Sequence, residues 1–404
     1  MATGSDNFPV MHPVAGFKLG TASAGIKTIG RKDLVVIELS EQSTVAALFT
    51  LNAFCAAPVT VAKQHLAAAK TRYLLINTGN ANAGTGESGL ADAQQSCAAL
   101  AALQGVSAAQ VLPFSTGVIG QSLPMDRLLA GIPKSVAQLN EAGWDEAAKG
   151  ILTTDTRAKG ASLQFTLNGA DRPVTITGIT KGSGMIKPNM ATMLGFVATD
   201  AEVDSELLHR ALRLATDKSF NRITVDSDTS TNDAIVLAAT GASGVTVDES
   251  NFESFVAMLE KVFIDLAQAI IRDGEGATKF VTVIVDSAVD GPEALKVGYT
   301  IAESPLVKTA LAASDANWGR ILAAIGRAGV DNLDVNRLTV SLNGVLIVEN
   351  GGRAASYTEE AGQSAMAEED ITIHVSLNRG QAAETIWTTD LTYEYVRINA
   401  EYRS

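Results

Sequence analysis

Any chemistry in this chain has to come from hydroxyls, glycine-rich loops and a few charges, because its other reactive side chains are scattered. The four histidines (His12, His65, His209 and His374) show no HExxH or other ligand spacing. The two cysteines, Cys55 and Cys97, cannot build a disulfide framework or a four-ligand zinc site, and both read as buried and inert. No metal is expected. The most unusual stretch is KGSGMIKPNMATMLGFVATDA, Lys181–Ala201. Gly182 and Gly184 permit strained backbone, Pro188 fixes φ, and Thr192 opens an apolar run that reads as a strand. Pattern alone makes this loop a turn and Thr192 an ordinary strand threonine. In LPFSTGVIG, Thr116-Gly117 follows an apolar run and could turn a hydroxyl and backbone N–H groups toward a cleft. NTGNANAGTGESG, 77–89, lacks the spacing of a phosphate-binding loop and reads as a tight polar loop. DSDTSTND, Asp226–Asp233, clusters acids and hydroxyls in a way that suits an ion or capping site, or plain turn chemistry.

The elements around these segments mix strand and helix without regular alternation. LVVIEL (Leu34–Leu39) and TVAALFTL (Thr44–Leu51) read as paired, buried strands, and Tyr73–Ile76 as a short strand. An alanine-rich helix spans about Leu90–Leu103, with Gly105 as its stop. Asn168-Gly169 and Asn343-Gly344 each lie between alternating apolar runs, the signature of a hairpin turn with positive φ at both positions. The longest helix, Asn251–Arg272, carries one apolar stripe (Phe252, Phe255, Val256, Leu259, Val262, Phe263, Leu266, Ile270) and ends at Asp273-Gly274. A strand over Phe280–Val285 and a helix near Pro305–Ala313 follow. Hairpins with helices grouped between them imply α+β layers rather than a doubly wound sheet. The C-terminal part, from about 310, is expected to form a smaller subdomain. Trp318 and Trp387 are expected to act as core or interface anchors.

Composition removes several function classes. The chain has 404 residues with 46% hydrophobic side chains, enough to order one large core or two packed units. Its 31 basic and 44 acidic residues give a net charge of -13, which offers nucleic acid no basic footprint. No apolar run reaches the length of a membrane span, and the N-terminus lacks the pattern of a secretory signal, so a cytoplasmic protein is expected.

The run KGSGMIKPNMATMLGF, together with STGVIG, GILTTDT, RDGEGATKF, SDANWGRI and YVRINAEYRS, resembles the ornithine acetyltransferase (glutamate N-acetyltransferase) family of arginine biosynthesis. The blocks occur in family order over most of the chain. The resemblance implies a four-layer αββα sandwich similar to N-terminal-nucleophile hydrolases. It also implies self-cleavage between Ala191 and Thr192, giving chains 1–191 and 192–404, assembled as two large and two small chains.

Within that resemblance Thr192 is the nucleophile. A threonine hydroxyl needs a base, and cleavage would expose an α-amine with a reference pKa near 8 that can serve as one. Thr116 and Gly117 are implied as oxyanion donors, and Thr154, Lys181, Thr192, Glu275, Asn399 and Ser404 as substrate-binding residues. Ser404 stands where many relatives have threonine. Lys181 suits a substrate carboxylate and Glu275 a substrate ammonium. The implied reaction passes acetyl from N-acetylornithine to glutamate in two half-reactions. Acetyl-CoA is a further donor in many relatives, so it is expected as a co-substrate, with no bound cofactor. An aminopeptidase or amidase on the same fold and a non-cleaving amino-acid-binding module are the rival readings.

Overall fold

The computed structural model describes residues 2–187 and 193–401. Ala191, Thr192 and Ser404 therefore lie outside the described residues. The chain divides into a larger unit, Asn7–Asn221 with Asp228–Ile270, and a smaller one, Met1–Asp6, Arg222–Ser227 and Ile271–Ser404.

The larger unit is built on two sheets. The first has the order β1 (Phe17–Ala22), β2 (Leu34–Leu39), β4 (Tyr73–Asn80), β5 (Val111–Val118). The second has the order β3 (Thr44–Phe49), β11 (Ala234–Ala239), β8 (Leu194–Thr199), β7 (Pro173–Lys181), β6 (Lys159–Thr166). A ribbon of β9 (Glu202–Val203) and β12 (Thr246–Val247) sits beside them in sequence. Residues spaced by two explain how the sheets meet. Phe17, Leu19, Val35, Ile37, Leu74, Ile76, Leu112 and Phe114 share one core cluster with Phe49, Phe196, Ala198, Val236 and Ala238. Phe114 meets Phe196 edge-on at 5.2 Å, one ring from each sheet.

The alternate residues Leu34, Val36, Tyr73 and Leu75 point the other way. They pack with Val61 of α1 (Ala57–Ala68), Cys97 and Leu100 of α2 (Gly86–Gln104), and Leu128 and Ile132 of α3 (Met125–Val136). Two covered faces are why LVVIEL reads as an unbroken apolar run. On the second sheet, α5 (Ser205–Lys218) packs over β3, and a side chain at Gly178 of β7 would meet Leu266 of α6 (Phe252–Arg272). Helix, sheet, sheet and helix give the four-layer αββα sandwich expected from the sequence.

The smaller unit has one seven-stranded sheet: β10 (Ile223–Thr224), β18 (Ala382–Thr389), β13 (Phe280–Ala288), β17 (Asp370–Ser376), β14 (Thr339–Leu342), β15 (Val345–Glu349), β16 (Gly352–Arg353). Helices α7 (Gly291–Ala302), α8 (Pro305–Ala312), α9 (Trp318–Gly326) and α10 (Glu359–Ala367) contribute to its core, and α11 (Tyr393–Ala400) ends the described chain. Trp387 is buried, and Trp318 packs half-buried against this core. The unit starts at Ile271, well before the expected 310, because β13 lies between β17 and β18 and cannot be detached from that sheet.

Two strand-level expectations need correction. LVVIEL and TVAALF are not paired: they belong to opposite sheets, β2 pairing with β1 and β4, and β3 with β11. Asn343 (φ 45°) and Gly344 (φ 81°) do form the expected tight turn. Around Asn168-Gly169, in contrast, the last paired residues are Thr166 and Pro173, so the connection is longer, and Gly169 has positive φ while Asn168 does not. Proline cannot donate to a ladder, which suits Pro173 to the first position of β7.

The third tryptophan was not singled out by the sequence. Trp144, in α4 (Trp144–Gly150), is fully buried and stacks on Phe17 at 4.9 Å with the rings 4° apart. Its indole Nε1 has no hydrogen-bond partner among the described residues. Trp144→Ala should lower unfolding stability by about 3–5 kcal/mol in urea titration. Trp144→Phe should lose distinctly less, because it keeps the stacked ring and removes an unsatisfied N–H.

Candidate active site

Strands β4 and β5 run parallel, and near their C-terminal ends Thr78 faces Thr116 and Gly79 faces Gly117. The register then slips, so that Asn80 lies opposite both Thr116 and Val118. Gly117 adopts φ 137°, and a Cβ there would collide with the backbone of Gly79 and Asn80. Only glycine lets the strands close at this point. Thr116 and Gly117 are half-buried at this irregular end.

The second sheet supplies the partner. Lys181 ends β7, is buried, and its Nζ donates to Thr116 Oγ1 at 3.4 Å. Leu194, which opens β8, pairs directly with Lys181, and Met193 accepts a hydrogen bond from Ala234 N at 2.9 Å. The start of β8 is thus registered to the Lys181–Thr116 contact. Thr154 joins the same neighbourhood through a 2.7 Å hydrogen bond between its hydroxyl and that of Ser183, two residues beyond Lys181.

Two buried carboxyls lie near Lys181: Asp155, which the sequence did not single out, and Asp233, which it flagged only as part of the Asp226–Asp233 cluster. Asp155 accepts from Lys159 Nζ at 2.6 Å, Gly182 N at 2.7 Å and Thr153 N at 3.0 Å. Burial alone would raise its pKa, but the Lys159 and Lys181 cations outweigh that and hold the carboxyl well below the usual range. Asp233 goes the opposite way. Burial pushes its carboxyl well up, against the pull of a Ser230 hydrogen bond and the Lys181 charge, and its Oδ2 has no hydrogen-bond partner among the described residues. Asp155 is therefore held as an anion by Lys159 and Lys181 together, while burial disfavours the charged form of Asp233. Lys181 thus places a cation beside Thr116, with Asp155 as an acid shared with Lys159. Motif spacing could not reveal this, because it depends on burial; the one hint was the position of Asp155 inside the ILTTDT block.

The other site residues with described positions belong to the smaller unit. Glu275 is buried and accepts from Asn399 Nδ2 at 2.8 Å, and Asn399 is exposed on α11. The Asp226–Asp233 run divides. Asp226 accepts from the Tyr395 hydroxyl at 3.1 Å in the smaller unit, whereas Asn232 and Asp233 are buried in the larger one. Among the described residues no group of three or more His, Cys, Asp or Glu could hold a metal ion, and no helix is long and apolar enough to cross a membrane. Cys97 is buried, with its thiol pushed up to about 12, and Cys55 is half-buried.

A family model described as the ArgJ family matches residues 18–404. The arginine biosynthesis bifunctional protein ArgJ of Pseudomonas fluorescens (strain Pf0-1) is 57% identical over 408 residues, covering 100% of both chains. The protein of the same name from Methylococcus capsulatus is 55% identical, covering 97% of this chain and 96% of its own. A crystal structure of the Bacillus halodurans protein of that name is 40% identical, covers 51% of this chain and 97% of its own, and has a TM-score of 0.49.

The Asp155–Lys159 pair yields a stability prediction. Asp155→Asn leaves the buried Lys159 without its counter-charge and should cost about 3–5 kcal/mol at pH 7. Because the native carboxyl is depressed, its contribution is present above the unfolded-state value near ~4 and is lost as pH falls toward the native one. Urea titrations at pH 7 and below pH ~4 should show the gap between wild type and variant closing in acid.

Proposed function

The chain belongs to the ArgJ family, and we propose that it is a self-cleaving acetyltransferase whose nucleophile is Thr192 and whose oxyanion donors lie at Thr116 and Gly117. It moves acetyl from N-acetylornithine to glutamate, yielding ornithine and N-acetylglutamate in arginine biosynthesis. It also acetylates glutamate from acetyl-CoA, a co-substrate rather than a bound cofactor. The observation that carries the site assignment is the Lys181–Thr116 contact, made where β8 begins two residues after Thr192.

In maturation, the Thr192 hydroxyl attacks the Ala191 carbonyl carbon, the Ala191–Thr192 C–N bond breaks and the nitrogen takes the proton. Water then hydrolyses the resulting ester and leaves Thr192 as a chain end. In turnover, the freed α-amine takes the hydroxyl proton as the oxygen attacks the acetyl carbonyl of N-acetylornithine. The negative charge on the tetrahedral intermediate falls to the donors at Thr116 and Gly117. Collapse breaks the C–N bond, the proton passes to the leaving nitrogen, and ornithine departs from an acetyl-threonine. The glutamate amine attacks that ester in the second half-reaction and restores the hydroxyl.

The charge pattern supports amino-acid substrates. Lys181, beside Thr116, attracts an α-carboxylate, and the Thr154 hydroxyl can bond a substrate polar group. Glu275, Asn399 and Ser404 complete the proposed substrate-binding set, with Glu275 matched to a side-chain ammonium. The proposed working form is a cytoplasmic heterotetramer of two 1–191 and two 192–404 chains.

Intact mass and N-terminal sequencing test the proposal. Active enzyme should contain a fragment beginning at Thr192 and, after brief exposure to N-acetylornithine, an acetyl adduct on that fragment. Thr192→Ala should remain a single inactive 42.0 kDa chain. Normal cleavage of that variant would move the nucleophile elsewhere, and peptide hydrolysis without acetyl exchange would favour an amidase. Thr116→Ala should lower kcat by roughly a hundredfold or more with a smaller effect on KM, as expected for a group acting in the transition state.

A further inference from the structure

The geometry points to Asn232 as the positioning residue that fixes the oxyanion strand, β5, against the start of β8. Oxyanion donors work only when held to within a fraction of an ångström, yet β5 is irregular where it carries them. Ladder pairing reaches Thr116 and Gly117 but slips immediately beyond them, so a second tie at that corner adds to their placement.

Asn232 supplies that tie with one amide group. Its Nδ2 donates to Ala81 O at 2.6 Å and to Ser115 O at 2.9 Å, so the two hydrogens bridge the chain just beyond β4 and the β5 residue preceding Thr116. The Thr231 hydroxyl donates to Asn232 Oδ1 at 2.6 Å, which fixes the amide's orientation. The carboxamide is buried, so neither carbonyl could find water in its place. Further ties stiffen the same corner. Ser115 Oγ donates to Asn77 Oδ1 at 2.6 Å, and Asn77 Nδ2 donates to Asn80 O at 2.9 Å.

The position of Asn232 in the chain gives this clamp its role. It lies two residues before Ala234, whose backbone N–H holds Met193 at the start of β8. One short stretch leading into β11 therefore grips both sheets, through a side chain on β5 and through the backbone on β8. The spacing between the oxyanion strand and the start of β8 is set by this stretch, a role that neither the acidic nor the hydroxyl character of DSDTSTND suggests.

This inference rests on the proposed roles of Thr116, Gly117 and Thr192, and its test separates the two. In cleaved Asn232→Ala, kcat of both half-reactions should fall roughly ten- to a hundredfold, with KM changed less than about threefold. The shape of the kcat–pH profile should not change, since the base is untouched. Asn232→Asp, similar in size but unable to donate to two carbonyls, should not rescue the loss. Thr231→Val should lose a few-fold, by loosening the amide. Hydrogen exchange provides a readout independent of cleavage: Thr192→Ala compared with Thr192→Ala/Asn232→Ala should show faster exchange confined to the peptide spanning β5 and the 77–82 segment. Unchanged exchange there, kcat within about twofold of wild type, or exchange raised across the whole sandwich would each overturn the positioning role. If Thr116→Ala also leaves kcat intact, the oxyanion assignment itself fails; if Thr116→Ala is slow and Asn232→Ala is not, only the clamp is lost.

Discussion

A buried ammonium is the constraint around which the larger unit is arranged. Lys181 would be costly inside the sandwich if it stood alone. Its charge is met by a hydroxyl, Thr116, and by the field of Asp155, a carboxylate that it shares with Lys159 and with backbone amides. Burial at the same time disfavours the charged form of nearby Asp233. The cation is thereby held in place by several partial ties rather than by one dedicated ion pair.

The sandwich serves that constraint. The proposed chemistry lies at strand ends, where β5 of one sheet meets the end of β7 in the other through Thr116 and Lys181, and a well-packed interior fixes their separation. Phe114 against Phe196 and Phe17 against Trp144 are rigid contacts within that interior. Packed layers deform little, so hydrogen bonds of ordinary strength at the strand ends can decide positions to a fraction of an ångström.

The sequence made some of this legible and concealed the rest, for identifiable reasons. The heptad-like stripe of α6 and the Asn343-Gly344 turn were readable because each depends on neighbouring residues alone. The pairing of LVVIEL was misread because an apolar run records that both faces are buried, not which strand lies alongside. Asn168-Gly169 shows the same limit: the dipeptide permits a tight turn, but the strand ends at Thr166 and Pro173 do not use one. At the site, Thr116, Gly117, Lys181 and Thr154 stood out through the resemblance to a family, and not through spacing. Asp155, Asp233 and Asn232 were obscure because their roles depend on what surrounds them, and charged and polar residues in loops usually face water.

Gly117 and Gly79 face each other across β5 and β4, and neither has room for a side chain: a Cβ on Gly117 would strike the backbone of Gly79 and Asn80, and one on Gly79 would press on Lys27. Both also hold positive φ, a backbone region that favours glycine. Tuning of that corner is therefore left to the side chains around it, since a substitution at either glycine would alter the frame itself.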